Sequence, residues 1–205
     1  MKVKFFNKKE ITGIVIILVG IFLLSLVNFR ASLRRARDVQ RRDDLTALSG
    51  ALEKFYNDFE MYPPASADGK IVACLPEGVT IEDIKKIVGG RPELNKKKIF
   101  ASLTVCEWGE STLEDVSDPS IGVFLSVIPK DSLHDEGYSY FYYSTPDHYQ
   151  IYGAFEGKDM PEYDTKIVER SLSCGVNICN FGKASRGTPL DKSLQEYENE
   201  LGGNK

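Results

Sequence analysis

Few side chains in this 205-residue chain stand where type and spacing could do chemistry. His134 lies between Asp131 and Asp135, raw material for an acid–base pair, and serines and cysteines are never far away as nucleophiles. The chain nevertheless has no Gly-x-Ser-x-Gly elbow, no His-Glu-x-x-His and no phosphate-binding glycine loop. Neighbouring loop residues alone seldom make a catalytic pair, so the expectation is a protein that is not an enzyme, with no catalytic residues and no cofactor. Asp131, Asp135 and Asp147 supply carboxylates for a cation, but a solvated loop is the simpler reading, and no metal site is expected. Trp108 offers a partner contact or a packing residue beside Cys106. Tyr138, Tyr140, Tyr142, Tyr143, Tyr149 and Tyr152 offer an adhesive or sugar-binding surface. Alternate members of such runs must point inward, so most are expected to be structural.

Cys74, Cys106, Cys174 and Cys179 carry the clearest chemistry. An even count fits two disulfides in an oxidising compartment. Cys174 and Cys179 could close a small loop, leaving Cys74 with Cys106; four buried thiols in a reducing compartment are the alternative. Zinc is disfavoured, because the Cys-x₂-Cys spacing is missing and only His134 and His148 could help. The remaining candidate is Glu10, a carboxylate directly before an apolar run.

That run positions everything else. Ile11 to Val27 is 17 residues without a charge, relieved only by Thr12, Gly13, Gly20 and Ser25. As a helix it spans roughly 25 Å, enough for a thin bilayer. Gly13 and Gly20, seven apart, share a face where helices can approach closely, or else simply face lipid. The run is longer than a secretory h-region and no small-x-small cleavage site precedes the arginines, which favours a retained anchor. No Pro or turn cluster follows before Pro63-Pro64, so one helix over 11–62 is expected, with 11–29 transmembrane. Its later half carries an apolar stripe at Leu45, Leu48, Leu52, Phe55 and Phe59, the face for a sheet. Arg34, Asp38 and Arg42 stand at i, i+4 and i+8, predicting stacked opposite charges on another face.

Charge is split along the chain. Residues 1–42 hold ten Lys/Arg against Glu10 and Asp38, and the rest carries a net −12. An acidic head argues against nucleic-acid binding by the head, and basic stretches beside the apolar run suit anionic headgroups. Counting positive charges places the head in the cytoplasm, whereas the cysteines argue the opposite, so charge alone leaves orientation open.

Beyond the helix, 63–184 reads as an α+β head and 185–205 as a polar tail. Thr80-Ile81-Glu82-Asp83 predicts a capped helix ending at Gly89-Gly90. Ser111-Thr112-Leu113-Glu114 could open another, and Asp118-Pro119 a third running to about Val127. Residues 138–143 and 149–155 read as aromatic strands joined by a hairpin loop at Ser144–His148, with Lys166–Leu172 as a third strand. Leu190, Leu194, Tyr197 and Leu201 could form a terminal helix, or the tail is mobile.

These residues resemble the type IV pilin-like proteins, including the pseudopilins of type II secretion. Phe6 and Glu10 have the spacing of the family's mature Phe and its Glu; Asn28-Phe29 falls 18 residues after Glu10, and an arginine-rich helix follows. Leu52 to Pro64 is similar to the family's helix end, and Ile128-Pro129-Lys130-Asp131, with the tyrosine-rich strands, to its Pro-x-Asp element and sheet. The match is specific over 6–64 and loose over 119–156. Phe5 stands where the family's processing motif has Gly, and Asn7-Lys8-Lys9 where it has apolar or small residues. The resemblance implies a pilin-like fold, a long helix on a small antiparallel sheet with an irregular helical insertion. It implies processing between Phe5 and Phe6 with N-methylation, and assembly through Glu10, Gly13 and Gly20. The partners implied are membrane lipid, other pilin-like subunits and the pilus or secretion machinery. The place implied is a prokaryotic cell membrane, crossed once, with the N-terminus cytoplasmic and the head outside. An uncleaved anchor carrying a binding or adhesion head is the alternative.

Overall fold

A computed structural model describes residues 7–88, 96–116 and 122–203. One helix, α1 (Lys8–Phe59), runs without interruption through the apolar run and into the head. It ends at Glu60, whose backbone is left-handed (φ 55°) and whose N–H closes on the Tyr56 carbonyl, three residues ahead of Pro63. Two successive prolines bar helix in the residues before them, so the chain turns early.

The head is built on the second half of α1. Its elements are β1 (Val72–Cys74), α2 (Ile81–Val88), α3 (Lys96–Ala101), β2 (Thr104–Val105), β3 (Leu113–Glu114) and β4 (Val123–Leu125), followed by a 3₁₀ turn at His134–Glu136. After these come β5 (Phe141–Ser144), β6 (Tyr149–Gly153), α4 (Thr165–Glu169), β7 (Ser173–Cys174), β8 (Asn177–Ile178), β9 (Phe181–Ala184) and α5 (Leu194–Gly203). All strand pairing is antiparallel: a three-stranded sheet β5-β6-β9 and the ribbons β1-β2, β3-β4 and β7-β8. The architecture is α+β.

The predicted stripe is the spine of the core. Leu45, Leu48, Leu52, Phe55 and Phe59 are all buried, packed with Tyr140, Tyr142, Tyr149, Ile151, Phe124 and Phe181. Phe59 stacks on Phe55 at 4.3 Å between ring centroids. Tyr140, Tyr142, Tyr149 and Tyr152 are buried, whereas Tyr143 is exposed, so the tyrosine runs are chiefly structural.

Two local expectations give way to capping and to pairing between segments. Lys166–Leu172 is not a strand: residues 165–169 form α4, capped by Asp164, whose carboxylate accepts the Lys166 N–H at 2.9 Å. The third strand is β9, paired along β6 from Gln150↔Ala184 to Gly153↔Phe181. Residues 113–114 and 123–125 are paired strands rather than helix, with buried Leu113 opposite Leu125; residues 117–121, including Asp118-Pro119, lie outside the described residues. Thr80 does open α2: its hydroxyl donates to the Asp83 carboxylate at 2.7 Å and the Asp83 N–H returns to it. Gly89-Gly90 also lie outside the described residues.

The sheet has a second cover. Every residue of β6 is buried, because Tyr152 packs on its outer face with Ile167, Ala154 and the Cys174–Cys179 pair. The chain from Ser185 onward crosses the same face. Gln150 Nε2 donates to the Pro189 and Lys192 carbonyls at 2.6 and 2.8 Å, Arg170 donates to the Leu190 carbonyl, and Leu194 is buried. The terminal helix is α5, opened by a Ser193–Glu196 capping box. Residues 185–203 are thus a docked strap.

Candidate functional site

From Lys9 to Leu33 every described side chain of α1 is exposed, including Ile16, Ile17, Phe22, Leu23 and Leu24. This bare stretch is about 38 Å long at 1.5 Å per residue. The helix is long and apolar enough to cross a membrane, and none of its most apolar window is covered by the head. So many exposed aliphatic side chains in water would be unfavourable at roughly 25 cal/mol per Å², which makes lipid or other apolar helices their natural surroundings.

The predicted assembly residues sit on this stretch. Glu10 is at the helix start, where its carboxylate accepts the Asn7 N–H at 2.8 Å, a capping interaction. A Cβ added at Gly13 or Gly20 would meet nothing within 4 Å, so both faces are open. Phe5 and Phe6 lie outside the described residues. The four cysteines form two bonds, Cys74–Cys106 and Cys174–Cys179.

Where α1 enters the head it carries arginines, and Arg34, Arg35, Arg37 and Arg41 pair with carboxylates of the head. Arg41 is fully buried. Its Nε and Nη2 donate to both oxygens of Asp131, at 2.7 and 3.0 Å. Its Nη1 donates to Asp38 and to Glu156, each at 2.8 Å, and the Tyr138 ring lies 5.1 Å away. Arg37 forks onto Glu156 with two 2.6 Å bonds, and Arg34 and Arg35 share Asp159. Asp38 accepts the backbone N–H groups of Glu156 and Gly157 at 2.9 and 3.0 Å. The predicted Arg34–Asp38–Arg42 ladder is therefore not what forms. Arg34 and Asp38 turn to the head, and Arg42 pairs with Asp43. Bidentate charge-assisted bonds give strong directional restraint, so this clamp fixes how the head sits on the emerging helix.

Burial by itself would make Arg41 less basic, but its bonds to Asp131 and Glu156 outweigh that and push it above its ordinary value. The Arg37 fork, reinforced by Arg41, holds Glu156 below the usual carboxylate range against its partial burial. A depressed folded-state value stabilises the fold while the group is ionised. The contribution is complete above the unfolded value of about 4.3 and is lost as pH falls through the lower folded value. Asp44 works the other way: burial raises it against the Tyr140 hydrogen bond, so protonating it favours the folded state. Amide exchange read at Glu156 and Gly157 is expected to lose protection as pH falls through the lowered Glu156 value and the Arg37 and Arg41 bonds let the segment go, ahead of the core strands. Protection that stays level with the core strands throughout an acid titration would remove Glu156 from the clamp.

The enzyme-like candidates disperse. Asp131 is engaged by Arg41, while His134 Nδ1 faces the Tyr138 carbonyl at 3.2 Å rather than a carboxylate. Asp135 is exposed, 3.9 Å from Lys130. Among the described residues no group of three His, Cys, Asp or Glu is arranged to hold a metal ion. Trp108 is buried edge-on to Tyr140. Of the clamp residues, Arg37, Arg41, Glu156 and Asp159 were not singled out from sequence, and Asp38 only as a rung of the helix-face ladder. Their only signal was the density of arginines on one helix; the carboxylates they meet lie about 90 to 125 residues away.

Comparisons of the chain with protein-family models, with curated proteins and with solved structures find no significant match.

Proposed function

We propose that this protein is a pilin-like structural subunit, anchored by the first half of α1 and assembling through it with other such subunits. One observation carries the reading. A single unbroken helix is apolar from Ile11 to Val27 and its described side chains are uncovered up to Leu33, and it then becomes the buried spine of an α+β head from Asp38 to Phe59. The head lies outside a prokaryotic cell membrane and the N-terminus in the cytoplasm. Two disulfides support that side, since they persist in oxidising compartments. The resemblance over residues 6–64 adds the family's logic, in which the Glu10 carboxylate neutralises the amine of a mature Phe6 within an apolar environment. Membrane lipid, neighbouring subunits and a pilus or secretion assembly apparatus are the partners.

Phe5 in place of Gly, and Lys8 and Lys9 beside Glu10, favour a second reading, an uncleaved anchor presenting a binding or adhesion head. Two measurements separate them. A filament subunit is expected to lose residues 1–5, carry an N-methyl group by intact mass, and drop out of filaments when Glu10→Ala is introduced. An anchor keeps its full mass, and Glu10→Ala leaves its membrane location unchanged.

A further inference from the structure

Arg30, Arg34, Arg37 and Arg41 stand at i, i+4, i+7 and i+11 of α1, a row along one helix face. The head meets three of them with carboxylates. Arg41 takes Asp131, Arg37 takes Glu156 and Arg34 takes Asp159, at 2.7, 2.6 and 2.8 Å. Arg30 is the fourth member, and the head stops short of it. It is exposed, and its guanidinium makes no ion pair among the described residues. The helix supplies no partner either, since no Asp or Glu occurs between Glu10 and Asp38.

Charge at this end of the head differs from the rest. Arg34 and Arg35 share the single carboxylate of Asp159, through Nη2 at 2.8 Å and Nε at 3.1 Å, and their other donors stay available on side chains 37% and 67% exposed. Lys158, next to Asp159, is exposed too. Arg30, Arg34, Arg35 and Lys158 therefore face one acid, on a head that is otherwise strongly acidic.

Resting on the anchored reading above, we infer that Arg30, with the donors of Arg34 that Asp159 leaves free, binds the headgroup phosphate of an anionic phospholipid in the leaflet facing the head. Depth selects this ligand. With the span ending at Phe29, Arg30 lies about 1.5 Å and Arg34 about 7.5 Å beyond it along the axis. The headgroup layer is roughly 5–7 Å thick on each side of the hydrocarbon, so the lipid phosphates fall between these two arginines. A guanidinium matches a phosphate with two parallel N–H bonds, as it matches the carboxylates further up the row. The excess of basic side chains favours a lipid of net negative charge over a zwitterionic one. A second copy in the same register brings its own Arg30 to this depth and no carboxylate, so like charges would meet. The lipid phosphate thus completes the row that the head begins.

The test uses the full chain, dilute in phosphatidylcholine vesicles that contain a trace of acyl-chain spin-labelled phosphatidylglycerol or spin-labelled phosphatidylcholine. The fraction of each label that the chain immobilises is read by electron spin resonance. The parent is expected to hold phosphatidylglycerol about threefold more strongly than phosphatidylcholine, and Arg30→Gln to lower that preference by about half. The lysines at the other end of the span account for the remainder. Arg30→Lys keeps the charge and most of the preference. Arg42→Gln removes an equal charge about 18 Å further along α1 and is expected to change nothing. A preference that survives Arg30→Gln, or that falls as far with Arg42→Gln, overturns the inference while the immobilised lipid upholds the anchor. A parent without preference overturns it as well; if Arg30→Gln then weakens association between chains, the guanidinium serves a second copy. A chain that immobilises neither lipid ends the anchor reading and the inference with it.

Discussion

Asp131→Ala is expected to destabilise the full chain by about 3–5 kcal/mol, among the largest effects of any single substitution. It strips Arg41 of both bonds from its Nε and Nη2 and leaves a guanidinium in a site with no solvent access. Glu156 and Asp38 remain on Nη1, but one nitrogen cannot satisfy the whole fork. Asp131 also accepts the Leu133 N–H at 2.8 Å, so the turn toward the Tyr138 strand loosens with it. Urea unfolding in micelles, followed by tryptophan and tyrosine fluorescence, reads the loss as a lower midpoint at unchanged slope. The informative companion is Arg41→Met with Asp131→Leu. Replacing both partners by apolar groups of similar volume removes the stranded charge, and stability is expected to return toward the parent value. Only Asp38 and Glu156 then need new partners, and Glu156 keeps the Arg37 fork. Should the single variant lose less than about 1 kcal/mol, the clamp is no more than a surface ion pair and does not set the angle between helix and head.

Joint substitution of Cys74 and Cys106 by Ser is expected to cost roughly 3–4 kcal/mol, against about 2 for the Cys174 and Cys179 pair. The difference follows from chain length: the first bond closes a separation of 32 residues and the second one of 5. A longer closed loop removes more freedom from the unfolded chain. The first bond also has native work. It ties β1 to the segment entering Trp108, beside the Cys106 N–H bond to the Ile71 carbonyl at 2.8 Å and the buried side chain of Ile71. Thermal unfolding of the two double variants measures the order of effects. An equal or reversed order would mean that the unfolded chain keeps Cys74 and Cys106 close together without the bond. The same bonds bear on where the head resides. Alkylation before and after reduction, on protein isolated under native conditions, is expected to block four thiols only after reduction.

Short-range pattern carried a large part of this architecture. The helix through 8–59, its apolar stripe and the tyrosine hairpin rest on contacts within four residues or across one tight loop, and such contacts leave a period in the sequence. The even cysteine count favoured two disulfides, with Cys174–Cys179 as one possible pair and free thiols as the alternative; the structure decides the pairing. What tertiary structure decided is which segment meets which. Ser111–Glu114 carries helix-opening residues, yet Leu113 gains more from pairing with Leu125 and entering the core than from a free-standing turn. Lys166–Leu172 carries β-favouring residues, yet Asp164 caps it into α4 while Phe181 takes the place beside Gly153, stacked at 3.6 Å on Phe155. Arg41 is indistinguishable in sequence from Arg34, Arg35 and Arg42. Only the fold brings Asp131 and Glu156 to it across 90 and 115 residues. By itself the sequence determined a helix long and apolar enough to cross a membrane that continues as the spine of an α+β head, because hydrophobicity and periodicity are local properties of a chain. The clamp, the strap and the third strand had to wait for the tertiary structure, because charge pairing and strand pairing are properties of two distant segments at once.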